Sequence, residues 1–230
     1  MVISNSFEEK YVNQGFSSQR KYPNESFLSF LGSNFFRLPI EKRKQTCFLE
    51  LGCGSGANLW PVAREGFNAY GVDYSQTGLG LCQQMLESWG VKATLSLADM
   101  TSLPFEDGMF DVVFDVVSIQ HLTFSQHIDV YQEAFRVLKD EGTFFSYHLG
   151  ENSISAKTKG AMLDHCTVKN IDAGLPLAGN GQTCFLSANE VRHLLQKVGF
   201  VDIKVDKVLR TYGNQSMQVE YLVIEAKKSN

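Results

Sequence analysis

The stretch 48-FLELGCGSGANLW-60 decides how the rest of the chain is read. An apolar run meets Glu50, glycines follow at 52, 54 and 56, and an amphipathic segment begins near residue 57. That order predicts a buried strand, a tight turn and a helix start. Glycines remove Cβ atoms where the chain turns, so backbone N–H groups can face a ligand closely. With Ala57 the turn also satisfies the loose GxGxxA form of a dinucleotide fingerprint, so the glycines alone leave the ligand open.

Outward from this turn, short β-rich runs recur at 47-CFLEL-51, 69-AYGVD-73, 93-ATLSLAD-99, 110-FDVVFDVV-117 and 143-TFFSYH-148. Amphipathic stretches near 57–65, 76–89 and 125–139 separate them, and in the last Val130, Ala134, Val137 and Leu138 fall at helical spacing. Strands alternating with helices predict right-handed crossovers and a mostly parallel sheet covered on both faces. Residues 187-SANEVRHLLQKVGF-200 carry a helix with Ser187 as N-cap, Glu190 three positions on and Gly199 at its end. Two last strands, around 201–210 and 217–227, flank 213-GN-214 and are expected to pair antiparallel.

Three acids discriminate among ligands. Glu50 stands before the glycines, where a carboxylate would crowd a pyrophosphate but suits a cationic ligand. Asp73 ends the second strand, placed to accept from ribose hydroxyls. Asp99 ends the third, placed to accept from an exocyclic adenine amine. Together they predict a negative crevice that suits a sulfonium nucleoside better than a diphosphate.

Residues 48–148 resemble the core of the class I S-adenosylmethionine-dependent methyltransferases, through 50-ELGCGSG-56, 71-GVDYS-75, 98-ADMTSLPFEDGMFDVV-113, 118-SIQHL-122 and 135-FRVLKDEGTF-144. The resemblance implies an α/β, Rossmann-like seven-stranded sheet in order 3-2-1-4-5-7-6 with the last strand antiparallel. It also implies S-adenosyl-L-methionine as cofactor and S-adenosyl-L-homocysteine as product. By the family pattern Gly52, Cys53, Gly54 and Gly56 line the methionyl and ribose portion, and Glu50 orients the amino group. Asp73 holds the ribose, Tyr74 packs on the adenine, and Asp99 with Met100 reads the adenine edge. The backbone near Asp115 and Val116 meets the methionine amino group. Asp115 departs from the small polar residue common there, so its carboxylate is either a direct contact or a cap for the next turn. The N-terminal extension resembles a substructure that folds over the cofactor, with Tyr11, Arg20, Lys21 and Tyr22 as candidates.

The chain divides in this reading into a helical extension, 1–46, and a methyltransferase domain, 47–230, with 150–186 as a substrate-side insert. Methyl transfer needs a base only where the nucleophile is protonated. His148, at the end of the fifth strand, is the leading candidate and His121 the second, while His165 sits in the insert. His127 and His193 are expected on the surface. The remaining readings are a cofactor-binding regulator or inactive homologue, aminopropyl transfer with Asp115 as one carboxylate, and a dinucleotide oxidoreductase.

Composition bounds the partners. The 230 residues fit one α/β domain with an extension, and a formal net charge of −4 gives no footprint for nucleic acid. The basic cluster Lys42, Arg43 and Lys44 reads as a solvated linker. Five cysteines (47, 53, 82, 166 and 184) show neither CxxC spacing nor a paired framework, which predicts a reducing cytoplasm and no metal. The polar N-terminus predicts no signal peptide, and no apolar run approaches the roughly 20 residues of a membrane span. A small polar metabolite or sugar-type O or N nucleophile is the expected acceptor. The oligomeric state is not readable.

Overall fold

The computed structural model describes residues 6–229; residues 1–5 of the extension expected over 1–46, and Asn230, lie outside them. Nine strands form: β1 Cys47–Leu51, β2 Asn68–Asp73, β3 Thr94–Leu97, β4 Phe110–Val116, β5 Leu138–Leu149, β6 Thr167–Val168, β7 Thr183–Cys184, β8 Phe200–Tyr212 and β9 Met217–Lys228. The helices are α1 Ser6–Gln14, α2 Glu25–Asn34, α3 Ile40–Arg43, α4 Leu59–Arg64, α5 Gln76–Ser88, α6 Phe124–Val137 and α7 Ala188–Val198. Short 3₁₀ turns occupy Phe16–Ser18, Ile119–His121 and Ile154–Lys157.

Seven strands make one sheet in the order β3-β2-β1-β4-β5-β9-β8, and β6 with β7 makes a separate pair. Because that small pair intervenes in the chain, this is the expected 3-2-1-4-5-7-6 order. β9 runs antiparallel to both β5 and β8, while the other pairings in the sheet are parallel.

Alternation along the strands sends side chains to opposite faces. Phe48, Val112, Phe114 and Phe145 join one buried cluster, and Leu49, Leu51, Val113 and Phe144 join the other. On the first face lie Leu59 and Val62 of α4, Leu79, Cys82 and Leu86 of α5, and Phe27, Phe30 and Leu31 of α2. Phe27 stacks on Phe114 at 4.2 Å between ring centroids. The expected extension is therefore two things: α2 belongs to the core, and α1 docks elsewhere. On the second face α6 and α7 bury Val130, Tyr131, Ala134, Val191 and Leu195.

His127 corrects the surface placement read from the sequence. It is 0% exposed, because it shares the α6 face of Val130, Tyr131 and Ala134. His193 is exposed as expected. Capping follows the sequence signals. Ser187 accepts from the Glu190 N–H while the Glu190 carboxylate accepts from the Ser187 N–H at 2.7 Å. Gly199 closes α7 in the left-handed conformation.

Candidate functional site

The carboxyl ends of β1, β2 and β4 open onto a crevice of about 200 Å³, the position where parallel α/β sheets bind ligands. Its wall includes Glu50 of β1, Gly52, Cys53 and Gly54 of the glycine turn, Asp73 and Tyr74 at the end of β2, Met100, and Val116 at the end of β4. Tyr11 and Arg20 close it from the N-terminal side, and His121 stands on the far wall. Gly52 and Gly54 have φ of 64° and 49°. A Cβ on Gly52 would fall 2.5 Å from the Ser118 Cβ, so no larger residue fits that turn.

Glu50 dominates the electrostatics. It is 1% exposed, one carboxylate oxygen accepts from Asn58 Nδ2 at 2.9 Å, and the other has no partner. Burial pushes its pKa up to about 8, against the lowering effect of the Asn58 hydrogen bond and the Arg20 charge. Arg20 Nη2 donates to Asn58 Oδ1 at 3.0 Å, so Asn58 links the two charges.

Asp73, at the end of β2, is 6% exposed, and its carboxylate holds backbone: Gly54 N–H at 2.7 Å, Ser75 N–H at 2.9 Å and the N–H of Tyr74. Burial raises its pKa, and the hydrogen bonds from Ser75 and Gly54 oppose the rise. Three backbone donors leave about one of the roughly four acceptor sites of the carboxylate for a diol hydroxyl. Asp115 takes the role of a cap. It is 0% exposed and accepts from Ser118 N–H at 2.8 Å, Ile119 N–H at 3.0 Å and Ser146 Oγ at 2.9 Å.

Several expected residues lie away from the lining. Asp99 accepts from the N–H and hydroxyl of Thr101 at 2.9 and 2.8 Å, beside Met100. Gly56 faces inward, where a Cβ would meet Cys82 Sγ at 2.6 Å. Tyr22 is 66% exposed and packs edge-on against Trp89. Lys21 donates to the Phe16 carbonyl.

The two candidate bases separate sharply. His148 is 0% exposed, with Nδ1 at 2.9 Å from the Leu149 carbonyl and Nε2 at 3.0 Å from His127 Nε2. Burial pushes its pKa down to about 3. It is absent from the crevice lining, whereas His121 is part of it. His121 Nδ1 lies 2.9 Å from the Gln182 carbonyl, which can only accept, so Nδ1 carries the proton and Nε2 is the basic nitrogen. Desolvation lowers the His121 pKa to about 4.

Two segments cover the crevice. On α1, Glu8 accepts from the hydroxyls of Ser75 and Thr77, and Phe7 packs 4.6 Å from the His121 ring. From the insert, Gln182 Nε2 donates to the His121 carbonyl at 3.1 Å, and Asn180 accepts from Lys10 Nζ at 2.6 Å. Phe7, Gln19, Asn58, Ser118 and Gln182 were not read from the sequence. Asn58 had a signal, directly following the glycine turn; Gln182 had none.

In the insert, Asp164, His165 and Cys166 bring donor atoms within 4.8 Å of one another. The Asp164 oxygens already accept from five groups of Phe124, Cys166 and Thr167, the Cys166 thiol among them, and His165 Nε2 sits 2.6 Å from Glu190. These residues knit a turn.

A family model described as a methyltransferase domain matches residues 48–142. An S-adenosylmethionine-dependent methyltransferase from Methanosarcina mazei superposes with a TM-score of 0.66 at 20% identity, over 80% of this chain and 92% of that one. Residues 48–142 thus match the methyltransferase-domain family, and the sheet as a whole has the fold of the S-adenosylmethionine-dependent methyltransferases. The chain is also similar in fold to phosphoethanolamine N-methyltransferase 2 of Haemonchus contortus, solved with S-adenosylhomocysteine. The TM-score is 0.68 at 16% identity, covering 100% of this chain and 58% of that one. Among curated proteins, it is 26% identical over 163 residues to malonyl-[acyl-carrier protein] O-methyltransferase of Geobacter sulfurreducens, 68% of this chain and 56% of that protein. It is 30% identical over 113 residues to sterol 4-C-methyltransferase strm-1 of Caenorhabditis elegans, 48% of this chain and 33% of that protein. The chain thus spans a third to just over half of the length of these two relatives.

Proposed function

We infer that this protein transfers a methyl group from S-adenosylmethionine to a small polar acceptor with an oxygen or nitrogen nucleophile. The observation that carries the cofactor reading is the unpartnered oxygen of Glu50, buried beside a turn from which Cβ atoms are excluded. A buried carboxylate with an open oxygen is costly unless a cation reaches it. The amino group of S-adenosylmethionine supplies one, and the acceptor site left on Asp73 suits a ribose hydroxyl. When bound, this cofactor supplies an activated methyl group for in-line displacement, so the protein's task is orientation and exclusion of water.

The residues facing the crevice divide that task. Glu50, Asn58 and Arg20 hold the amino-acid end, Asp73 the ribose, and Tyr74 with Met100 the base. α1 and the insert exclude water from above. His121, neutral near pH 7 and with Nε2 basic, is the group able to take a proton from an acceptor hydroxyl or amine. His148 holds its place beneath, hydrogen-bonded within the protein.

The relatives are named for a sterol and for malonyl-acyl-carrier protein, so the acceptor class is read from the wall instead. Leu175 and Leu177 of the insert pack against the core. Gln182, Asn180 and Lys10 are left near His121, a polar boundary suited to a polar metabolite. Asp115, sealed beneath the turn, offers no carboxylate to an aminopropyl acceptor.

Incubation with methyl-deuterated cofactor and fractionated metabolites tests this reading. The expected result is a labelled small molecule formed in step with S-adenosylhomocysteine, and lost in His121→Asn. Label appearing only in protein or nucleic acid would overturn the acceptor class.

A further inference from the structure

Two cysteines of the insert take no part in the crevice. Cys166 directly precedes β6 and Cys184 ends β7, with 8% and 0% exposure. The ladder pairs Thr167 with Cys184, and the Phe185 N–H donates to the Cys166 carbonyl at 2.9 Å. A regular ladder would turn neighbouring positions to opposite faces, but Cys166 lies just outside β6 in the turn held by Asp164, and its sulfur comes to 3.2 Å from that of Cys184. A disulfide bond is about 2.05 Å long, so the sulfurs need approach by only about 1.2 Å.

We propose that Cys166 and Cys184 form a dithiol site that low-molecular-weight disulfides convert to an intramolecular disulfide. The step balances as two exchanges. The Cys166 sulfur loses its proton to solvent and attacks one sulfur of oxidised glutathione, releasing the first glutathione thiol. The Cys184 sulfur then displaces the second glutathione from Cys166. The protein gives up two electrons and two protons, and two glutathione thiols are formed. The Cys184 sulfur, burial and the Asp164 carboxylate hold the Cys166 thiol above its ordinary range, so the first exchange is slow.

The bond would tie the base of the loop between β6 and β7. Two residues before Cys184, Gln182 holds both the ring and the carbonyl of His121; two residues earlier again, Asn180 holds Lys10 of α1. Oxidation therefore fixes the segment that closes the cofactor crevice. This consequence rests on the cofactor reading, whereas the dithiol site itself does not.

The test is incubation of the full chain with oxidised glutathione, followed by thiol counting in denaturant and peptide mapping. Five thiols before and three after are expected, with Cys166 and Cys184 in one linked peptide two hydrogens lighter. Cys184→Ser should instead trap glutathione on Cys166. Retention of both thiols, or linkage of the other touching pair, Cys53 and Cys82, in their place, would overturn the proposal. In the oxidised protein S-adenosylhomocysteine should dissociate at least twofold more slowly. An unchanged rate with the disulfide formed would overturn only the coupling to the crevice.

Discussion

Cofactor binding should be steeply pH-dependent, and Glu50 sets the size of the effect. Its pKa of about 8 leaves it largely protonated at pH 7, while a ligand ammonium against its open oxygen requires the ionised form. Ionising it first costs about 1.4 kcal/mol at pH 7, from 1.36 kcal/mol per pH unit below the pKa. The ionised fraction is about one half at pH 8 and about one hundredth at pH 6, so affinity should fall about fiftyfold between them. Binding at pH 7 should release about nine-tenths of a proton by the same linkage. Titration calorimetry with S-adenosylhomocysteine in buffers of different ionisation enthalpy measures both quantities. Glu50→Gln, neutral throughout, should bind more weakly at pH 8, release no proton and show a flat profile. A wild-type affinity constant from pH 6 to 8, or proton release persisting in the variant, would refute the reasoning. The same raised pKa acts on the fold with a defined sign. Between about 4.5 and 8 the folded chain holds a proton the unfolded chain has lost, so this group's contribution to stability falls as pH rises through that window.

Asp73→Ala should weaken S-adenosylhomocysteine binding by roughly 1.5–3 kcal/mol, for lost hydrogen bonds to a charged group. It should also lower the melting temperature, because Asp73 braces Gly54 and Ser75; normal binding in a calorimetric titration would exclude it as the ribose ligand. Phe27→Ala should destabilise by about 3–5 kcal/mol in urea unfolding, the cost of removing a buried phenylalanine. A loss below about 1 kcal/mol would mean that α2 is an appendage. S-adenosylhomocysteine should slow proteolysis within residues 6–20 and 150–186, since the ligand adds contacts to Tyr11, Arg20 and His121 beneath them. Unchanged cleavage in both segments would make them passive surface.

Fold and site were unequally readable from the sequence. The parallel strands could be read because each is a short apolar run ending in a turn or an acid, and because the glycine turn marks the first crossover; their order was implied only by the resemblance to the methyltransferases. The closing hairpin could be read from its Gly–Asn turn. Phe27, Phe30 and Leu31 carry helical spacing, so a buried face on α2 was visible; the surface it meets, Phe114 and Phe145, is distant in sequence and was not. His127 stands three residues before Val130 and seven before Ala134, so periodicity already placed it on the buried face of α6, and its polarity misled. The acids at the strand ends were legible as a crevice because a parallel sheet brings those ends together. Which of them remain open was not legible. That depends on Asn58 occupying one oxygen of Glu50 and on Ser118, Ile119 and Ser146 saturating Asp115. Phe7 of the crevice wall, and Lys10, Asn180 and Gln182 beside it, come from segments joined to the sheet only by tertiary contacts, and no local pattern announces them.

The most direct measurement is a paired calorimetric titration of the full chain at pH 8 with S-adenosylhomocysteine and with NAD. One equivalent of S-adenosylhomocysteine should bind, weakened in both Glu50→Gln and Asp73→Ala, and NAD should give no binding heat. Saturable heat with NAD and none with S-adenosylhomocysteine would contradict the assignment of the crevice.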